Sequence, residues 1–79
     1  MERVRTARVI FTFNTTTQAM KMERAAEAAG APGRLIPVPR EISAGCGMAW
    51  SAPAGERERL LEAAEAAAVE ISGIYEMML

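Results

Sequence analysis

Histidine is absent from this chain of 79 residues, cysteine occurs once, and only four positions are aromatic: two Phe, one Trp and one Tyr. Without histidine the chain lacks the commonest general base and metal ligand. A single cysteine cannot assemble the four ligands of a structural zinc site. Nor can it close an internal disulfide, a pattern expected of a reducing cytoplasm. No charge of one sign dominates: nine basic residues against ten acidic leave a net charge of −1, and the pI is about 5.4. The electrostatic footprint of a nucleic-acid binder is therefore missing. No apolar run approaches the ~20 residues that span a bilayer. The N-terminal Met1–Arg8 has no apolar stretch behind its charges, so no signal peptide is read there. Neither nucleic acid nor membrane is an expected partner.

What the chain does have is alanine, at 16 positions, whereas Val, Ile, Leu and Phe together fill 15, or 19%. So low an aliphatic share would indicate disorder if net charge were large, and it is not. The expectation is one small domain with a thin core, in which helices approach closely through Ala and six Met residues fill the gaps. A domain of this size buries only about 60% of its unfolded surface.

Read for periodicity, Arg8–Phe13 is a strand with Val9, Phe11 and Phe13 on one face. Asn14–Thr17 offers helix caps, and Thr16–Ala29 is a helix whose stripe is Ala19, Met22, Ala26 and Ala29. Gly30 stops it and Pro32 prevents its resumption. Arg34–Val38 is a second strand, confined to a sheet edge because Pro37 cannot donate to a ladder. Arg40–Gly47 reads as a loop and Met48–Ser51 as a short third strand. A second helix begins near Pro53, with Arg57, Leu60, Leu61, Ala64 and Ala68 on one face. Val69–Glu76 is a fourth strand whose alternation slips at Gly73, the mark of a bulge. Strand, helix, strand, strand, helix, strand is the ferredoxin-like split pattern: an α+β fold with a four-stranded antiparallel sheet and both helices on one face. Right-handed crossovers then make strands one and two parallel, with strand three between them. The Asn14–Thr17 turn, the N-terminus of the first helix and the Arg40–Cys46 loop are thereby expected at one rim.

Several runs carry a resemblance: Phe11-Thr-Phe-Asn-Thr-Thr, then Ala19 and Glu23, and above all Ile36-Pro-Val-Pro-Arg-Glu-Ile-Ser43 with Cys46-Gly47, followed by Gly73-Ile-Tyr75. Together they resemble the selenium/sulfur carrier-like family of small bacterial and archaeal domains. The resemblance covers roughly residues 8–76, taken as the core of a single domain spanning 1–79. It implies delivery of sulfur or selenium with the motif cysteine as carrier. It also implies donors of the cysteine desulfurase type and acceptors of the selenophosphate synthetase type. Two features depart from the pattern: Trp50 stands where a smaller residue is expected, and Met77-Met-Leu79 is added at the end.

The residues can be read for chemistry independently. Cys46 is the one strong nucleophile, and a thiolate can accept a sulfane sulfur, hold it and pass it on. Gly45 and Gly47 leave the sulfur unobstructed and could offer amides to an anion. Arg40, six residues earlier, is a candidate cation for stabilising the thiolate, as is the first helix's N-terminus. Ser43, Asn14 and Thr15 are candidate polar walls for the carried group. Against these stand plainer readings. A lone Cys is often a small buried hydrophobe, Ser43–Gly47 can be a tight turn, Arg40 can pair with Glu41, Asn14 and Thr15 can cap the helix, and Trp50 reads as packing. Two functions follow. One is a stoichiometric single-cysteine carrier, more a shuttle than an independent enzyme, with no cofactor. The other is a non-enzymatic interaction or regulatory module in which Cys46 is structural. The missing second cysteine disfavours a dithiol oxidoreductase. A thin core also gains from association, so a homodimer is expected.

Overall fold

The computed structural model describes residues 6–42 and 47–78. Its elements are β1 (Ala7–Thr12), α1 (Thr16–Ala29), β2 (Arg34–Pro37), β3 (Met48–Pro53), a short 3-10 turn (Ala54–Glu56), α2 (Arg57–Ala66) and β4 (Gly73–Met78). The strands form one sheet in the order β2-β3-β1-β4, with every neighbouring pair antiparallel. This is an α+β fold consistent with the ferredoxin-like arrangement. β1 and β2 are parallel with β3 between them, and β2, with Pro37, is an edge.

Alternation along β1 divides the core in two. Val9, Phe11 and Phe13 face the helices and pack with Trp50 and Ala52 of β3, Ala19, Met22 and Ala26 of α1, and Leu60 and Ala64 of α2. Ile10 faces the opposite side, against Ala49 and Ile42. Hence β1 is buried on both faces and reads as an unbroken apolar run, Val9-Ile-Phe11.

Both helices end in the same way. In α1, Gly30 adopts φ 66°, Ala31 N–H reaches the Ala26 carbonyl and Gly30 N–H reaches that of Glu27. In α2, Val69 N–H reaches Ala64 and Ala68 N–H reaches Glu65, while Ala68 takes φ 55°. Each is a Schellman cap, the second built on an alanine. Arg59 ties the helices together, donating to the Ala29 carbonyl at 3.0 Å and pairing with Glu56 at 3.5 Å.

Several boundaries differ from those expected of the sequence. The fourth strand is Gly73–Met78 rather than Val69–Glu76, because the Val69 amide is spent capping α2. Val69 and Ile71 still pack on the core from an irregular segment. That segment is held to α1 by Lys21 donating to the Ala68 carbonyl at 2.9 Å and Glu70 N–H donating to Gln18 Oε1 at 2.8 Å. The irregularity expected at Gly73 sits at the strand's entrance. Ser72 N–H bonds to the Thr12 carbonyl although Gly73 is the register partner of Thr12, so two residues meet one. β3 runs on to Pro53. Ala68 lies beyond α2, Arg57 is exposed beside Glu76, and Ala25 rather than Ala29 is buried on α1. Among the described residues no helix is long and apolar enough to cross a membrane.

Candidate functional site

Register fixes which segments meet at one rim of the sheet. Thr12 at the end of β1 lies opposite Ala49 and Gly73, and Pro37 at the end of β2 lies opposite Met48. The N-terminus of α1, four residues after Thr12, belongs to this rim. So does Gly47, whose carbonyl accepts from Val38 N–H at 3.0 Å and extends the β2–β3 ladder by one bond.

From Val38 the chain enters a turn in which Ile42 N–H donates to the Pro39 carbonyl at 2.9 Å. Ile42 is 7% exposed and packs on Ile10 and Ala49, with Ile36, Val38 and Met77 around it. The turn therefore folds over the helix-free face of the sheet. α1 lies across the other face, so the two share a rim but not a side. Sequence reasoning missed this part played by Ile42. Its one signal is a large β-branched side chain inside an otherwise polar loop.

Arg40 and Glu41 are exposed. Among the described residues no carboxylate pairs with Arg40, so the expected alternative, an ion pair with Glu41, is not formed there. Gly47 adopts φ 79°, and a Cβ built on it would meet nothing within 4 Å. Among the described residues the direction a side chain would take is thus open, and its backbone conformation is one that favours glycine. Thr15 is the N-cap of α1: its hydroxyl accepts from Gln18 N–H at 3.3 Å. Asn14 beside it is exposed. Ser43, Gly45 and Cys46 lie outside the described residues.

Trp50 packs, as expected. It is 4% exposed and stands between Phe11 and Leu35 in register. Its Nε1 has no hydrogen-bond partner among the described residues. Gly33 passes so close that a Cβ there would lie 2.5 Å from that nitrogen and 2.8 Å from the Ser51 carbonyl, at φ +135°. Glycine at position 33 is thus required by both space and backbone.

A family model described as "Putative Se/S carrier protein-like" matches residues 8–76. The chain belongs to this Se/S carrier-like family. Its match takes in nearly all of β1, all of α1, β2, β3 and α2, the segment bearing Cys46, and β4 as far as Glu76. Comparison with curated proteins and with solved structures gives no match. Within the carrier-like chain, Arg40, Ile42 and Gly47 belong to the segment that leaves and rejoins one rim, and Thr15 serves as the cap of the neighbouring helix.

Proposed function

We propose that the chain is a stoichiometric carrier of sulfur or selenium that holds the chalcogen on Cys46. The observation that carries this reading is the family match over residues 8–76, which includes the Cys46-Gly47 pair. Three features support it: the space left free among the described residues where a Cβ on Gly47 would point, the exposed Arg40, and the anchoring of the preceding turn through Ile42.

The chemistry is thiol exchange. The Cys46 thiolate attacks the terminal sulfur of a donor persulfide, a new S–S bond forms on Cys46, and the donor's own S–S bond breaks to release its thiolate. In delivery an acceptor thiolate attacks that outer sulfur and Cys46 leaves as thiolate. Each transfer makes one bond and breaks one, with no external oxidant. A selenopersulfide follows the same scheme. Attack requires the thiolate, and a nearby cation favours that form, which is the role given to Arg40. Ser43, Gly45, Gly47 and Asn14 supply polar groups and room around the carried atom. Thr15 contributes by holding the helix start, because its hydroxyl already serves the cap. The donor is an enzyme that carries a cysteine persulfide, the acceptor is a thiol or selenophosphate-forming enzyme, and a reducing cytoplasm is the compartment.

The test is incubation with a persulfide-charged cysteine desulfurase followed by intact mass measurement. A gain of one sulfur on the wild type, absent from Cys46→Ser, is expected. A Cys46 that reacts with alkylating reagents only after unfolding would mean that the cysteine is structural.

A further inference from the structure

The two edges of the sheet are built differently. β2 has four residues, contains Pro37 and is flanked by Pro32 and Pro39, features that discourage further pairing. β4 has six residues and no proline, and pairs with β1 in unbroken register from Gly73 to Met78. Among the described residues no strand lies on its other edge. Ile74, Tyr75 and Met78 are 37%, 40% and 55% exposed. The strand's one charge, Glu76, is met by Arg57 at 3.4 Å. The usual protections of an exposed edge, such as a lysine, a proline or a very short strand, are missing from Gly73–Met78.

We propose that β4 pairs antiparallel with β4 of a second copy about a two-fold axis at Tyr75, joining two four-stranded sheets into one of eight strands. The register follows from overlap, faces and charge: only centres at Tyr75 or Glu76 pair five of the six strand residues. Side chains directly opposite must share a face, so residues of like parity pair. Centring on Glu76 would set two carboxylates opposite each other, which is destabilising. Centring on Tyr75 sets Tyr75 against Tyr75, Gly73 against Met77, and each Glu76 against the partner's Ile74. Each Glu76 then keeps its own Arg57. The strand fits itself in backbone and face and opposes no like charges, and a core this thin gains from association. Because the strands run antiparallel, the Gly73 ends, and with them the Gly47 rims, point in opposite directions. This inference does not depend on the carrier chemistry.

Sedimentation of the full chain tests it through two lysine variants. Tyr75→Lys sets like charges together at the axis and should give a monomer. Ile74→Lys sets a lysine opposite the partner's Glu76 and should leave the dimer intact. In a Cys46→Ser background, Tyr75→Cys should cross-link under mild oxidation, since opposed Cα atoms lie about 4.5–5.5 Å apart. Met77→Cys should not, since four residues of strand offset place it more than about 10 Å from its copy. The cysteine pair decides between the registers even where a lysine variant fails to fold. A wild type that stays monomeric up to about 1 mM, the weak end of specific association, overturns the proposal. So does a dimer that survives Tyr75→Lys or is lost in Ile74→Lys, and so does cross-linking through Met77→Cys rather than Tyr75→Cys.

Discussion

Phe11 stands mid-strand in β1, flanked by β3 and β4, with no exposed surface. Truncation to alanine removes its contacts with Trp50 and both helices and leaves a cavity that the sheet cannot collapse to fill. Phe11→Ala should cost ~3–5 kcal/mol in chemical denaturation, a large part of a small domain's stability. A loss below about 1 kcal/mol would contradict the facing. Arg40 is the opposite kind of residue: it is exposed, and the role proposed for it is chemical rather than one of packing. If it stabilises the Cys46 thiolate, Arg40→Ala raises the thiol pKa. At a fixed pH below that value less thiolate is present, so alkylation slows several-fold while the denaturation midpoint holds. An unchanged rate would remove Arg40 from the proposed site. At this scale the sequence is informative about type and less so about place. Phe11 and Trp50 can be assigned to the core from alternation and size. A cap within Asn14–Thr17 can be expected from its position before a helix-forming run, but the choice of Thr15 is made by the structure. The role of Ile42 cannot be read, because no local period says that a turn will fold back across a sheet.

The elements show why boundaries are harder to read than elements themselves. Val69, Ile71 and Gly73 alternate with polar residues in a way that fits a strand, yet the Val69 amide closes α2 and strand pairing begins only at Gly73. A cap of this kind usually announces itself through glycine, as at Gly30. At the end of α2 the left-handed position is held by Ala68, so that signal is missing and the helix stripe extends too far when read from periodicity alone. The same substitution pattern makes a prediction. An L-residue in the left-handed region is strained by roughly 1–2 kcal/mol, of which glycine's greater chain entropy returns part. Ala68→Gly should therefore stabilise the domain by about 1 kcal/mol, seen as a higher denaturant midpoint with unchanged slope. Destabilisation would mean that the alanine side chain contributes packing that outweighs the backbone strain.

For the molecule as a whole, the order of elements, the edge position of β2, the parallel relation of β1 and β2 and the placing of both helices on one face are all legible in the sequence. They rest on periodicity, proline chemistry and crossover handedness, which act over the whole chain. The two-sided burial of β1 is only half legible: Val9, Phe11 and Phe13 mark one face, while Ile10 finds its cover in a distant turn. The same topology brings the described candidates Thr15 and Gly47 to one rim. β1 and β2 end at a common rim, and the chain between Val38 and Gly47 departs from and returns to that rim. Under the proposed function the sulfur must sit where a donor and then an acceptor can reach it, and Gly47, the chain neighbour of Cys46, stands at this rim. The most direct measurement of that claim is the intact mass of the protein after incubation with a persulfide-charged donor, for the wild type and Cys46→Ser in parallel. One added sulfur on the wild type, transferable to an acceptor thiol and absent from Cys46→Ser, is the predicted result. A native protein whose Cys46 is accessible to alkylation but gains no sulfur or selenium from any charged donor would contradict the carrier reading.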